Sequence, residues 1–257
     1  MPEVIKVAGL RKRYGKIEVL KGIDLSIQSS ELIGYIGPNG AGKSTTIKVL
    51  CGLIPEFEGE VEVLGIDIRK DLLQLKKRIG YIPENAALYE ALTPIEFLLF
   101  VSQLYGLPAR TTAQKINELL TLFGLDAAKD KRMSAFLKGM KQKVLLISGL
   151  LHNPEVIFLD EPLSGLDANA VILVKEILTQ LKRNGKTIFY SSHIMEVVEK
   201  LSDRILIIDQ GVLIANNSFE ELSQKATGTS LEQIFTHLTG QHEQVSVASK
   251  VIDILHS

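Results

Sequence analysis

A glycine-rich segment between a predicted strand and a predicted helix constrains the fold more than any other feature of the sequence. It follows the pattern Gly, four residues, Gly-Lys-Ser/Thr, and reads Gly37-Pro38-Asn39-Gly40-Ala41-Gly42-Lys43-Ser44-Thr45. The apolar residues 32–36 predict a strand before it, and Thr46–Leu53 predicts a helix after it. Glycines let successive backbone N–H groups surround phosphate oxygens, and the helix N-terminus adds a positive dipole end. We therefore expect a phosphate-binding loop, with Lys43 on the β- and γ-phosphates and the Ser44 hydroxyl on Mg²⁺.

Two acidic residues directly follow a short apolar run of strand length. The run is Val156–Leu159, and Asp160 and Glu161 come next. A nucleotide bound with Mg²⁺ needs a carboxylate on the metal side, so we expect Asp160 to hold the ion through its water shell. We expect Glu161 to orient and deprotonate the attacking water. Alone, such a pair is typical of a solvated strand end; with the phosphate loop it predicts nucleotide hydrolysis.

The composition is that of an ordinary globular protein without a charge excess. The 257 residues include 29 Lys and Arg against 30 Asp and Glu, so the formal net charge is −1 and we expect no nucleic-acid partner. A single cysteine, Cys51, excludes an internal disulfide, so we expect a reduced, intracellular protein. We expect no secretory signal, and no membrane span, because no apolar run approaches the roughly 18 residues that a span requires.

Hydrophobic periodicity predicts a sheet covered by helices. Residues 23–27 and 61–63 alternate between apolar and polar, which indicates half-buried strands near the N-terminus. Continuous apolar runs at residues 156–159 and 205–208 are typical of strands in a parallel sheet that is covered on both faces. A helix is predicted over residues 168–183. Strands that alternate with helices indicate a doubly wound α/β core.

A helical segment interrupts this core. Thr93-Pro94-Ile95-Glu96 has the residues of a capping box, and the helix that it starts is predicted to end at Gly106. Thr111 to Gln114 repeats the start signal, and Gly124 repeats the stop signal. Residues from about 93 to 150 are therefore predicted to be an all-helical insertion.

Further motifs give the sequence a resemblance to a known family. They are an aromatic residue near the N-terminus, a segment 21 residues before Asp160, a loop after the acidic pair and a histidine behind a predicted strand: Tyr14, Gly139-Met140-Lys141-Gln142-Lys143, Ser164-Gly165-Leu166-Asp167 and Ser191-Ser192-His193. With the phosphate loop and the acidic pair, they make residues 4–240 similar to the nucleotide-binding subunit of an ATP-binding-cassette (ABC) transporter.

The resemblance implies an architecture and a set of partners. The expected fold is a P-loop NTPase core with a parallel sheet, an N-terminal antiparallel β subdomain and an inserted helical subdomain. Residues 1–240 would form a single domain, and residues 241–257 a C-terminal tail. The implied partners are an integral membrane permease and a second ATP-binding subunit, in a homo- or heterodimer at the cytoplasmic face of the membrane.

The resemblance also implies roles for individual residues, with ATP and Mg²⁺ as the ligands. Tyr14 would stack on adenine, and His193 would sense the γ-phosphate as a third catalytic residue beside Lys43 and Glu161. Gly139 would belong to the family's signature segment, which contacts the ATP held by the partner subunit. The loop at residues 164–167 would touch the opposite subunit.

The sequence departs from the family pattern at two positions. Glu84 stands where the family usually has a glutamine that links the Mg²⁺ water shell to the permease contact. Leu137 stands at the usual serine of the signature, whose hydroxyl donates to the γ-phosphate held by the partner. The Leu137 side chain has no hydrogen-bond donor. The backbone N–H groups of Lys138 and Gly139 are then the donors that remain for the γ-phosphate.

Two functional interpretations therefore stay open. The first is an ATPase subunit that powers transport through a separate permease, and the segment Leu231–Gly240 resembles the ending of exporter subunits. The second is a catalytically weak, regulatory nucleotide-binding subunit in a heteromeric complex, because of Leu137 and Glu84. A GTPase is disfavoured, since the sequence has no Asn-Lys-x-Asp motif.

The histidines other than His193 lack the spacing of metal ligands. We expect all of them to be surface residues: His152, His237, His242 and His256. Cys51 lies in the helix predicted after the phosphate loop, where we expect a small buried hydrophobe.

Overall fold

The computed structural model describes residues 2–85, 88–225, 230–240 and 254–255. The strands are β1 (Glu3–Tyr14), β2 (Ile17–Gln28), β3 (Leu32–Ile36), β4 (Glu58–Val63), β5 (Ile66–Asp67), β6 (Ile79–Ile82), β7 (Val156–Asp160), β8 (Thr187–Ser191), β9 (Arg204–Asp209) and β10 (Val212–Asn217). The helices are α1 (Lys43–Leu50), α2 (Leu72–Arg78), α3 (Pro94–Leu104), α4 (Ala109–Leu122), α5 (Lys138–Leu150), α6 (Ala168–Arg183), α7 (Met195–Leu201), α8 (Phe219–Lys225) and α9 (Leu231–Thr239). Short 3₁₀ turns at Asp126–Ala128 and Met133–Ala135 precede α5.

The N-terminal sheet is antiparallel, with the strand order β2-β1-β4-β5. The predicted alternation is confirmed, because Ile23, Leu25 and Ile27 are buried on β2 and Val61 and Val63 are buried on β4. The glutamates that alternate with them, Glu60 and Glu62, are exposed to solvent. The apolar face packs in one cluster with α1, so this sheet lies against the helix that follows the phosphate loop.

The central sheet is parallel except at one edge. Its strand order is β10-β9-β3-β8-β7-β6, and every residue of β3, β7 and β8 is buried, as a sheet covered on both faces requires. The edge strand β10 pairs antiparallel with β9. The connection between these two strands is the turn Gln210-Gly211, with φ of 45° and 83°, which is too short for the crossover that a parallel pair needs.

The helical insertion lies between β6 and β7, as predicted. Thr93 caps α3, because its Oγ1 accepts from the N–H of Glu96 at 3.2 Å while the Glu96 carboxylate accepts from the N–H of Thr93 at 2.8 Å. Gly106 and Gly124 follow α3 and α4 with φ of 68° and 70°, in the left-handed region that favours glycine after a helix.

The predicted start of the second inserted helix is wrong by three residues. The N-cap of α4 is Pro108, which makes no side-chain hydrogen bond, rather than Thr111, and the helix begins at Ala109. The Thr111 hydroxyl donates to the Pro108 carbonyl at 3.3 Å, so this threonine lies inside the first turn instead of capping it. Proline fixes φ of the residue before the helix, so α4 begins without a side-chain cap.

The insertion meets the core through two glycines. A Cβ on Gly80 of β6 would lie 2.3 Å from the carbonyl oxygen of Gly149 on α5, and a Cβ on Gly149 would lie 2.6 Å from Cδ1 of Ile82. Only glycine permits so close an approach of helix to strand. Since Glu84 follows this strand by two residues, the contact fixes where the loop that carries Glu84 leaves the core.

Candidate functional site

The phosphate loop connects β3 to α1 in a conformation that depends on glycine. Gly40 and Gly42 have φ of 79° and 112°, and a Cβ on Gly37 would lie 2.3 Å from the carbonyl oxygen of Ile208. Gly42 is the N-cap of α1 and makes no side-chain capping bond. The first turn of α1 therefore presents backbone N–H groups at the loop, which is the arrangement that binds phosphate.

The Lys43 ammonium lies within the loop itself. Its Nζ donates to the carbonyl oxygens of Gly37 at 2.6 Å and of Pro38 at 3.1 Å. Burial lowers the pKa of Lys43, and the nearby carboxylates, of which Glu161 acts most strongly, oppose that shift. The ammonium is thus held by carbonyls that a phosphate group can replace.

A cavity of about 310 Å³ brings most of the predicted site residues together. Its walls come from the phosphate loop, from the loop after β6, from the end of β7 and from β2, and the lining residues are Val19, Asn39, Gly40, Gly42, Lys43, Ser44, Thr45, Glu84, Asp160 and Glu161. Ala41 is buried behind this surface, and its carbonyl accepts from the N–H of Gly211 at 3.1 Å. The cavity joins cationic, hydroxyl and carboxylate groups, as a site for a metal-bound nucleotide requires.

The donor set of this cavity fits Mg²⁺. The Ser44 hydroxyl and the Asp160 carboxylate line the same cavity, and Mg²⁺ binds through one or two protein oxygens together with phosphates and water. Among the residues with described coordinates, no group of three or more His, Cys, Asp or Glu could hold a metal by itself.

Ser191 connects the two acidic residues, a role that sequence reasoning missed. Its Oγ donates to Oδ1 of Asp160 at 2.7 Å and accepts from the N–H of Glu161 at 3.0 Å. Both Ser191 and Asp160 are almost completely buried. The contact arises because Asp160 and Ser191 pair in register at the ends of β7 and β8. Predicting it from the sequence would have required the order of the strands in the sheet.

Glu161 and His193 form a hydrogen-bonded pair at the mouth of the site. Oε2 of Glu161 lies 2.7 Å from Nδ1 of His193 and accepts from its backbone N–H at 3.2 Å. Glu161 has a φ of 51°, which is strained for a residue with a side chain and is typical of functional positions. His193 does not line the cavity but contacts the carboxylate that does.

Tyr14 lies beside the cavity rather than in its wall. It ends β1, and 48% of its surface is exposed. Val19 lines the cavity and lies on β2. Its neighbours on that strand, Leu20 and Glu18, pair with Lys12 and Arg13 of β1. The ammonium of Lys12 lies 5.0 Å from the centroid of the Tyr14 ring.

Gly139 lies on a surface separate from the cavity. It is in the first turn of α5, and a Cβ there would lie 2.5 Å from the carbonyl oxygen of Gly165. Nζ of Lys138 donates to Oγ of Ser164 at 2.8 Å, and 76% of Leu137, at the N-cap position, is exposed. The signature segment and the loop at residues 164–167 therefore form one continuous surface.

The expectation that His152 is a surface residue is wrong. Its Nε2 lies 2.8 Å from the carbonyl oxygen of Ile79, and its ring stacks on Tyr105 with centroids 3.8 Å apart. Burial lowers the pKa of His152. His237 is exposed as expected, Cys51 is buried as expected, and His242 and His256 lie outside the described residues.

We expect Ser191→Ala to destabilise the protein by about 1–3 kcal/mol, because the buried Asp160 carboxylate loses a donor and the N–H of Glu161 loses its acceptor. Chemical denaturation at neutral pH measures this change. Ser148→Ala is the matched control, since the Ser148 hydroxyl donates only to the Leu145 carbonyl of its own helix among the contacts described. Equal stability of the two variants would contradict the positioning role of Ser191.

Comparisons with known proteins agree with this geometry. Residues 20–164 match the family described as ABC transporter. The linearmycin resistance ATP-binding protein LnrL of Bacillus subtilis is 39% identical, over 90% of this chain and 74% of that protein. The Nod factor export ATP-binding protein I of Ralstonia nicotianae is 33% identical, over 90% of this chain and 72% of that protein.

A solved structure described as the ATP-binding subunit of an ABC transporter superposes with a TM-score of 0.86 at 31% identity, covering 92% of this chain and 99% of that one. Within the described residues, no helix has the length and apolar character that crossing a bilayer demands. The chain belongs to the ABC transporter family, as an ATP-binding subunit with the P-loop ATPase fold of that family.

Proposed function

We propose that the chain binds and hydrolyses Mg-ATP in the cavity beside the phosphate loop and thereby powers export through a separate membrane permease. The observation that carries this proposal is that Lys43, Ser44, Asp160 and Glu161 line a single cavity. An ammonium, a hydroxyl and two carboxylates in one place are the groups that metal-assisted phosphoryl transfer to water uses.

Each of these residues has a distinct role in the proposed reaction. Lys43 exchanges its contacts with the loop carbonyls for the β- and γ-phosphates. Ser44, and Asp160 through the water shell of the ion, would hold Mg²⁺, and the ion would supply positive charge that neutralises the phosphates. Glu161, which lines the cavity, takes a proton from the attacking water. His193 contacts Glu161 through Nδ1, which leaves its Nε2 for sensing the γ-phosphate.

Tyr14 completes the proposed nucleotide site as the residue that stacks on adenine. Its ring is half exposed and lies at the end of the β1–β2 hairpin, whose Val19 forms a wall of the cavity. In this proposal the phosphates of the nucleotide bind at the phosphate loop, and its base extends outward from them to the Tyr14 ring. Aromatic side chains offer a face on which any base can stack.

The separation of Gly139 from the cavity supports a dimer of ATP-binding subunits. The first turn of α5 presents N–H groups at an exposed surface, away from the phosphate loop of the same chain. In the proposed dimer, this surface closes over the ATP held by the other subunit. Leu137 then faces the γ-phosphate without a donor, which supports the alternative of a catalytically weak, regulatory subunit.

The proposed permease contact is a groove between the insertion and the core. Its volume is about 240 Å³, and its lining residues are Cys51, Leu53, Lys76, Ile79, Tyr81, Val101, Tyr105, Ser148 and Gly149. Leu53 is half exposed there, and Phe100 and Leu104 are exposed on α3. We assign the groove to a short helix of the permease with an apolar face, which would hold this chain at the cytoplasmic face of the membrane.

Export is the direction that the relatives favour. One relative is named for Nod factor export and another for linearmycin resistance. Transport of substrate out of cells that carry the assembled complex, and its loss when ATP hydrolysis is blocked, tests this direction. Uptake driven by the same complex would overturn it.

We expect Glu161→Gln to lower ATP hydrolysis by roughly 10²–10⁴-fold while ATP still binds, because glutamine keeps the size and hydrogen bonding of the base but cannot take a proton. Steady-state hydrolysis and calorimetric ATP titration measure the two properties. Glu118→Gln removes an exposed carboxylate on α4 and should change neither. Hydrolysis by Glu161→Gln at the rate of the unchanged chain would assign the base elsewhere.

We expect Leu137→Ser to raise the ATPase rate of the homomeric protein by about tenfold, because the restored hydroxyl adds a charge-assisted donor worth about 1.4 kcal/mol or more at the γ-phosphate. Leu122→Ser is the matched control, since Leu122 is a similarly exposed leucine at the end of α4. If the unchanged chain already turns over briskly and Leu137→Ser adds nothing, the backbone donors of Lys138 and Gly139 suffice and the regulatory alternative falls.

We expect cysteines placed at Leu53 and Val101 to crosslink to an integral membrane protein in membranes that contain the assembled complex, because both side chains line the groove. The native Cys51 is buried, so it gives little background. Leu238→Cys, on α9, is the control position. Crosslinking from Leu238→Cys alone would refute the groove as the docking site.

A further inference from the structure

Lys12 is a buried lysine whose surroundings are unusual. Only 7% of the residue is exposed, although lysine is rarely buried unless its charge is compensated. Its Nζ donates to the carbonyl oxygen of Glu56 at 2.5 Å, and the nearest carboxylate oxygen, on the 92% exposed Glu56 side chain, is 4.0 Å away. A carbonyl and a solvated carboxylate compensate this charge only in part.

The remaining partner of the Lys12 ammonium is the Tyr14 ring. The distance of 5.0 Å from Nζ to the ring centroid is within the range of a cation–π interaction, and such contacts strengthen when the cation is desolvated. Lys12 and Tyr14 are two residues apart on β1, so their side chains leave the strand on the same side. The contact therefore follows from the strand itself.

The ammonium restricts what the Tyr14 ring can do. One face of the ring is covered by the cation, and 48% of the residue is exposed. The same ammonium is fixed by its hydrogen bond to the Glu56 carbonyl, in the segment between α1 and β4. A tyrosine held in this way loses little conformational freedom when a base stacks on its uncovered face, and ordering a side chain is one of the costs of binding.

We infer that Lys12 is a positioning residue for base binding: its buried ammonium holds the Tyr14 ring in the orientation in which the ring stacks on the adenine of ATP. This inference rests on the proposed function, because Tyr14 is the proposed base-stacking residue. Lys12 then contributes to the binding of a ligand that carries a base. It does not contribute to the binding of the phosphate chain, which contacts Lys43 and the phosphate loop.

Calorimetric titrations of the full chain with ATP and with inorganic tripolyphosphate, each with Mg²⁺, test the inference. We expect Lys12→Met to raise the Kd for ATP about threefold to tenfold and the Kd for tripolyphosphate by less than about twofold, because only ATP has a base to stack. Lys12→Arg keeps a cation and should keep ATP affinity. Lys16→Met, which removes an exposed lysine from the same hairpin, should change neither Kd.

A double-mutant cycle with Tyr14→Ala separates positioning from a general effect on the fold. In the Tyr14→Ala background, Lys12→Met should weaken ATP binding by less than about twofold, because no ring remains to be held. Equal weakening of ATP and tripolyphosphate by Lys12→Met, or full weakening in the Tyr14→Ala background, would overturn the inference. Lys12→Gln keeps a donor for the Glu56 carbonyl and repeats the test if Lys12→Met folds poorly.

The same titrations distinguish a failure of the inference from a failure of the proposed nucleotide site. If Tyr14→Ala leaves ATP affinity unchanged, base stacking at Tyr14 is wrong and the inference falls with it. If Tyr14→Ala weakens ATP binding and Lys12→Met does not, the base site stands and Lys12 has no positioning role.

Discussion

The parallel pairing of β3, β8 and β7 brings the phosphate loop and the acidic pair to one edge of the sheet. Parallel strands end at the same edge of a sheet, so the phosphate loop after β3, Ser191 at the end of β8 and Asp160 at the end of β7 come together there. Their register is set by continuous apolar residues that are buried on both faces. Moving β7 by one residue against β8 would turn Asp160 away from the cavity and break its bond to Ser191. The chemistry thus depends on core packing.

Charge in the cavity explains why a nucleotide needs its metal. Glu84, Asp160 and Glu161 contribute three carboxylates, and Lys43 contributes one ammonium. Phosphates that enter such a cavity meet more negative than positive charge unless a divalent cation comes with them. The phosphate loop adds attraction through N–H groups and the dipole of α1 without adding a titratable group. Glu84 stands where the family pattern has a neutral amide, so it adds one carboxylate to the lining of this cavity.

Sequence reasoning predicted the parts of the site that lie in continuous motifs. The loop at residues 37–45 and Asp160, which line the same cavity, were identifiable because residue type and spacing alone define them. The contact of Ser191 with Asp160 was missed because it joins strands whose neighbourhood is set only by the order of the sheet. The burial of His152 and of Lys12 was missed for a related reason. A polar side chain gives no signal in hydrophobic periodicity, so its burial emerges only from the elements packed over it.

Glu84 is the point where the nucleotide cavity and the helical insertion meet. It lines the cavity with Lys43, and it also lines a second cavity with Lys138 and Lys141, at the start of α5. The glycine contact between β6 and α5 anchors the strand just before it. The two lysines have partners of their own, because Lys141 pairs with Glu90 at 2.5 Å and Lys138 donates to Ser164 at 2.8 Å. The nucleotide cavity and the helical insertion are therefore joined by a loop whose preceding strand is fixed to the core by the glycine contact.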